Sequence, residues 1–270
     1  MASWENAPVL GFRLVNHIPD MEAPRIAQKD SGNHVTTWLV IGHESTVQFN
    51  MRTFDEDIKG FFLVDPKRYL ISRTELTHLD LNLVPGQGLT PGIMKSMIEA
   101  SQMDMYWFDS QGYGCRYWQL CLVDQMQAQG FLAAGSTIKA LDFLQLRFSR
   151  AQNPEPIDIY HGTFGKSSVQ TVFFDRWTML VAQVAALIAP QQQMVDTIQD
   201  RCDTLTRELE GLNRGNPRYQ LLSNQKTNLS RQLDLAREQL HTRVLQHESM
   251  VRSTDEANVL IRDRHDWFED

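Results

Sequence analysis

The sequence predicts an α+β fold, a mainly antiparallel sheet packed on a buried central helix, followed by a C-terminal α-helical hairpin or coiled coil. Three observations carry this. Short β-branched and aromatic runs separated by turn formers fill the first part of the chain. A helix-like run over residues 115–129 is apolar almost all round, because Tyr117, Trp118, Leu120, Cys121, Leu122, Val123 and Met126 cannot share one face, so it belongs inside. After Thr171 glycine becomes sparse and apolar residues recur at alternating steps of four and three, the spacing of a coiled-coil seam. The domains drawn from this are 1–170, the α+β part, and 171–270, the helical arm.

The elements follow in chain order. Residues 9–18, 34–41 and 46–51 read as strands, with turn formers at 30–33 and 42–45; the last two strands make a hairpin. Leu79, Leu81 and Leu83 alternate with Asp80, Asn82 and Val84 as a fourth, half-buried strand, which Pro85-Gly86-Gln87-Gly88 ends. Thr90-Pro91 starts a helix to about Ser101, since a Thr cap accepts an orphan amide and Pro presets the first helical backbone angle. Residues 105–108 add a short strand. Gly112-Tyr113-Gly114 then breaks the chain before the 115–129 helix, which Gly130 terminates, and a helix over 136–148 precedes Asn153-Pro154-Glu155-Pro156. In the arm, Ile198, Cys202, Leu205, Leu209 and Leu212 form a seam, two glycines and a proline within 211–217 stop the helix, and Leu222, Leu229, Leu233, Ala236, Leu240, Val244 and Val251 resume the stripe to near residue 266. An antiparallel hairpin would close this seam within one chain; a homodimer through 190–266 would close it between two.

Composition bounds the function. With 42% apolar and 22% charged residues, 270 residues can bury a sizeable core, which excludes a wholly disordered chain. A net charge of −7 and a pI near 5.6 provide no global attraction to nucleic acid or anionic membrane. Cysteines at 115, 121 and 202 match neither a disulfide framework nor a zinc knuckle, which points to a reducing compartment. Met1-Ala2-Ser3-Trp4-Glu5-Asn6 lacks a basic start followed by an apolar core, and the apolar stretch 179–189 is interrupted by Gln183 and shorter than a membrane span. The expected location is cytoplasmic, without a membrane partner.

One constellation can carry chemistry. Cys115 follows Gly-Tyr-Gly and opens the buried helix, where backbone amides and the positive end of the helix dipole favour a thiolate. A thiolate nucleophile works with a histidine base held by a third polar group. His34 opens one strand of the predicted hairpin and Asn50 ends the other, so the two stand on neighbouring strands. The alternative reading makes Cys115 a small core residue, His34 a bonded strand terminus and Asn50 a turn cap. Cys121, in mid-helix, reads as core. His161, beside Gly162 and after a strand-like run, is a second candidate base. Gly162-Thr163-Phe164-Gly165-Lys166-Ser167 is two residues too short between its glycines for a nucleotide phosphate loop, which leaves a turn or a single-anion cradle. Asp55-Glu56-Asp57 reads as a solvated acidic turn. Between Arg214 and Arg243 six Arg and Lys face Asp234 and Glu238, a local charge of +4 that suits a solvated helix face or, as the rarer use, an RNA backbone.

The run His34-Val35-Thr36-Thr37-Trp38-Leu39, the strand Val47-Gln48-Phe49-Asn50-Met51 and the block Gly112-Tyr113-Gly114-Cys115-Arg116-Tyr117-Trp118 with Gly130-Phe131-Leu132 resemble an uncharacterised fungal protein family over residues 9–165. Its specific part is Gly-Cys-Arg-aromatic-Trp. The order of strand histidine before helix cysteine is also similar to circularly permuted papain-like proteins of the lecithin:retinol acyltransferase type. That resemblance implies Cys115 as nucleophile, His34 as base, and Asn50 or Gln48 as the orienting group. Arg116 and Tyr117 depart from the residues usual after that cysteine, and the spacing from His34 to Cys115 is long. Gln48, Tyr113, Arg116, Trp118 and His161 are the residues expected to line the substrate.

The function expected is a cysteine-dependent acyl transferase or hydrolase working through a Cys115 thioester on a small-molecule or acyl-donor substrate. It needs no metal or organic cofactor. The fungal resemblance implies an aminoacyl or other activated acyl group in secondary metabolism. The alternatives are a non-enzymatic scaffold that binds a partner through its coiled-coil arm, and a tRNA-engaging aminoacyl-transfer enzyme.

Overall fold

The computed structural model describes residues 4–18, 34–53, 58–149, 153–214 and 216–264 of the 270. The turn expected at 30–33 and the acidic run Asp55-Glu56-Asp57 lie outside the described residues. After a short 3-10 turn at Trp4–Asn6, strands β1 (Gly11–His17), β2 (Val35–Gly42), β3 (Ser45–Arg52), β4 (Phe61–Lys67) and β5 (Glu75–Leu81) build one antiparallel sheet in the order β4-β3-β2-β1-β5. Helix α1 (Pro91–Ala100) follows, then β6 (Tyr106–Trp107), α2 (Cys115–Ala128), α3 (Ser136–Leu144), β7 (Leu146–Arg147), β8 (Glu155–Pro156) and β9 (Thr163–Phe164). Strand β6 pairs with β9, and β7 with β8. The chain ends in two long helices, α4 (Ser167–Glu210) and α5 (Pro217–Arg264).

The α+β class and the central helix are as the residue patterns imply. The Thr90 hydroxyl accepts from the Ile93 amide at 3.2 Å, so α1 starts where the Thr-Pro signal puts it. Two sheet boundaries differ. Strand β4 carries Pro66 and mixed charge, which weakens its signal; it survives as an edge strand, where a missing backbone donor costs least. Strand β5 begins at Glu75 and ends at Leu81, earlier than the leucine alternation suggests.

The two faces of the sheet do different work. On one, Phe12, Leu14, Val35, Leu39, Val47, Phe49 and Met51 are fully buried. Helix α2 packs there: the Thr37 hydroxyl donates to Gln119 Oε1 at 2.6 Å, and Gln119 Nε2 donates to the Val35 carbonyl at 3.3 Å. Tyr117, Trp118, Leu120, Leu122, Val123 and Met126 are all buried. Complete burial of each such side chain contributes roughly 1.5–3 kcal/mol. The other face carries His17, Thr36, Trp38 and Gln48 beneath the β4–β5 connection, where the Tyr69 ring lies 5.7 Å from that of Trp38.

The chain divides into two compact units, Trp177–Val251 and the remainder. The boundary lies a few residues beyond 170, and the chain from Arg252 belongs to the first unit, where Arg252 reaches Asp158 at 3.4 Å. In the second unit α4 and α5 form an antiparallel hairpin. Val195 and Cys202 of α4 pack with Leu233 and Ala236 of α5, flanked by Ile198, Leu229 and Leu240, and Arg237 donates to Gln199 at 2.8 Å. Over these residues the seam is closed within one chain. Val251 leaves the predicted stripe and is exposed. The apolar stretch of α4 extends beyond 179–189: an 18-residue window within 168–210 has mean hydropathy 1.5, long and apolar enough by length and composition to cross a membrane, and with 22% of it buried the protein itself covers little of that window.

Candidate active site

The site is built where α2 begins. Gly114 caps the helix at φ +138°, and a Cβ there would lie 2.7 Å from the Tyr106 hydroxyl. That hydroxyl donates to the Gly114 carbonyl at 2.9 Å and accepts from the Gly162 amide at 2.9 Å. A Cβ on Gly162 would strike the Tyr106 ring at 2.4 Å. Both glycines are therefore required by close approach, and between them they clamp Tyr106 against the turn that presents Cys115.

Cys115 is the first residue of α2, half-buried, at the positive end of the helix. The pairing of β2 with β3 starts at Thr37↔Phe49, so Val35 lies before it. Both Val35 backbone groups turn to α2 instead: the carbonyl to Gln119, the amide to the Cys115 sulfur. His34, directly before β2, shares a hydrogen bond with the Cys115 thiol. Its Nε2 donates to Asn50 Oδ1 at 2.8 Å. An amide oxygen only accepts, so Nε2 carries the hydrogen and Nδ1 is the nitrogen left for the thiol. Asn50 is held in turn by the pairing of β3 with β4, opposite Leu63.

The electrostatics suit a thiolate–imidazolium pair. Burial opposes charge on Cys115, but the hydrogen bond and charge of His34, the nearby Arg116 guanidinium and the Val35 amide outweigh it and depress the thiol pKa. Burial likewise opposes charge on His34, and its bonds to Cys115 and Asn50 outweigh that and raise its pKa, against a smaller opposing contribution from Arg52. Cys121 behaves oppositely: burial pushes its thiol well above the ordinary value, as its mid-helix core position implies.

The remaining candidates separate. Asn50, not Gln48, holds His34; Gln48 points to the Thr36 hydroxyl at 3.3 Å. Tyr113 stays beside the nucleophile, half-buried and stacked on Tyr160 at 4.8 Å. Arg116 does not face a substrate: it is 6% exposed, and its Nη1 donates to the carbonyls of Leu144 and Leu146, tying α2 to the end of α3. Trp118 is fully buried with its indole N–H on the Met103 carbonyl at 2.8 Å, a core position. His161 is no second base, because it lies buried against Tyr117 at 3.9 Å and burial pushes its pKa down to about 3. The 162–167 segment is no anion cradle, since its Gly162, Phe164 and Gly165 amides donate to Tyr106, Gln170 and Met105.

Sequence reasoning passes over His17. It ends β1 beside His34, with ring centroids 6.2 Å apart and planes 28° off parallel. The period-two alternation Arg13, Val15, His17 puts it on the outer sheet face, but only strand pairing brings it to the site.

A family model described as a domain of unknown function, DUF7770, matches residues 13–165, a span that holds every residue of the site. No curated protein and no solved structure matches the chain.

Proposed function

Because that match covers more than half of its length, the chain belongs to the DUF7770 family, and for it we propose cysteine-dependent acyl transfer or hydrolysis through a thioester on Cys115. The observation that carries the reading is the hydrogen-bonded chain Cys115, His34, Asn50 at the start of a helix. The order His34, Asn50, Cys115 along the sequence is also that of the permuted papain-like arrangement, which supports it.

The chemistry follows from the geometry. The Cys115 thiolate attacks the acyl carbon, and a C–S bond forms as the carbonyl oxygen takes up the negative charge. The backbone amide of Cys115 has no intrahelical acceptor at the first helical position, which leaves its N–H to receive that oxygen. His34, protonated in the resting pair, passes its Nδ1 proton to the leaving group as the bond to it breaks. An incoming water or amine then loses its proton to Nδ1 and attacks the thioester, which returns Cys115 as thiolate and His34 as imidazolium. Asn50 keeps the ring in one tautomer throughout.

The test uses iodoacetamide alkylation located by mass spectrometry and, on separate unalkylated protein, incubation with an S-acyl N-acetylcysteamine thioester. Cys115 should be modified at near-neutral pH well ahead of Cys121 and Cys202, and an acyl adduct should form on Cys115. His34→Ala should slow the alkylation by about tenfold or more. Equal labelling of all three cysteines, or an unchanged rate in His34→Ala, would refute the reading.

A second reading, a partner-binding scaffold, is favoured by the exposed Met179, Leu187 and Met194 of α4. It predicts a mass above that of the 31.1 kDa monomer in light scattering, lost in Met179→Asp; a monomer at every concentration would argue against self-assembly through this face.

A further inference from the structure

The hydroxyl of Thr36 has three hydrogen-bond neighbours and a fixed capacity. Trp38 Nε1 donates to it at 2.8 Å, Gln48 Nε2 donates at 3.3 Å, and His17 Nε2 lies 2.7 Å away. A hydroxyl offers two lone pairs and one hydrogen. Trp38 and Gln48 fill both lone pairs, so Thr36 gives its hydrogen to His17 Nε2. That nitrogen is therefore unprotonated, and the ring hydrogen sits on Nδ1. From there it is donated to the Thr74 hydroxyl at 3.0 Å, which also shares a hydrogen bond with Ser72 Oγ at 2.9 Å. The bonds run in one direction from Trp38 to Thr74, and His17 is a link in them with one tautomer.

We propose that His17 is a positioning residue, held as a neutral Nδ1–H imidazole against the ring of His34 by the saturated hydroxyl of Thr36, so that the positive charge of the site stays on His34. The inference rests on the acyl-transfer reading of Cys115 and His34. A second hydrogen on His17 would bring a third N–H donor to an oxygen that can accept two, so charging His17 breaks the contact with Trp38 or Gln48. A charged His17 would also repel the imidazolium 6.2 Å away. Burial pushes the His17 pKa to about 3, with the charge of His34 adding to the effect, in line with the hydrogen-bond pattern. Among the described residues, the ionisable groups around the pair include Glu75, the partner of His17 on β5, whose Oε1 is engaged by His78 at 2.6 Å and whose Oε2 is buried without a hydrogen-bond partner, the Arg13–Asp80 pair further along the same face, and Cys115 and Arg52 beside His34.

The tautomer is read directly from long-range proton–nitrogen spectra of histidine-labelled protein. His17 should keep the neutral Nδ1–H pattern from about pH 8 to about pH 5, while a free histidine titrates within that range. An Nε2–H pattern, or titration of His17 in that range, would overturn the proposal. The kinetic arm uses Gln48→Leu, which frees one lone pair of Thr36 and lets His17 gain a proton. Alkylation of Cys115 should then fall by about threefold or more at pH near 5 and little at pH near 8. His17→Gln keeps the two hydrogen bonds and cannot be charged, so in the double variant the rate should return to within about twofold of the parent. A loss independent of pH, or one that His17→Gln does not rescue, would also overturn it. The spectrum reports on His17 whether or not Cys115 is reactive, so a failure of the acyl-transfer reading is seen separately, as loss of Cys115 selectivity in the parent.

Discussion

At the scale of single residues, the site is a contest between burial and hydrogen bonding, and the bonds win at Cys115 and His34. The pH dependence follows with a definite sign. The nucleophile requires ionised Cys115 and the proton donor requires protonated His34, so acyl transfer rises through the depressed pKa of Cys115 and falls through the raised pKa of His34. The expected profile is a bell whose acid limb lies below the ordinary thiol range, measured as steady-state thioester cleavage against pH; a single rise near pH 8.5, roughly the value of a free thiol, would contradict it. Asn50→Ala removes the acceptor that selects the Nε2–H tautomer. Cleavage should drop by about tenfold or more while the melting temperature moves little, since Asn50 is only half-buried.

At the scale of elements, what matters is how α2 is seated. Cys115 and Gln119, one turn apart at its start, replace β3 as the partners of Val35, and its entry is set by the Tyr106 clamp on Gly114 and Gly162. Tyr106→Phe leaves the Gly114 carbonyl and the Gly162 amide without that buried partner and should cost about 1–3 kcal/mol in denaturant unfolding. Gly114→Ala must hold a side chain at φ +138° and 2.7 Å from a hydroxyl. It should cost about 1–3 kcal/mol and also slow Cys115 alkylation, because the helix start has to shift. If Gly114→Ala lowers stability but leaves the alkylation rate untouched, the clamp does not position the nucleophile.

At the scale of the whole molecule, the chain is two compact units with separate cores. Leu205 is 1% exposed in the hairpin, and Leu205→Ala should destabilise that unit by about 2–5 kcal/mol while Cys115 alkylation keeps its parental rate. Differential scanning calorimetry should show one shifted transition beside one that stays; a joint shift with slowed alkylation would mean the units fold as one.

The division between what the sequence determined and what only the tertiary structure decided follows the range of the physics involved. Local periodicity and turn chemistry suffice for the helix capped by Thr90, for the all-round apolar α2 with a cysteine at its start, and for the strand that follows His34 and the one that carries Asn50, because each depends on neighbours a few residues away. The seam of the arm is legible for the same reason. Edge strand β4 is not, since Pro66 is tolerated only by virtue of the strand's place in the sheet. Nor are the core roles of Arg116 and Trp118, which stand near the nucleophile in sequence and are buried in the core, or of His161, which a strand-like run beside a glycine marks as a candidate base and which lies buried against Tyr117. Most of all, the neutral His17 is invisible in the chain: its state depends on strand pairing that brings Thr36, Trp38 and Gln48 to one hydroxyl. Hydrogen-bond capacity is counted across strands, and no local pattern contains that count.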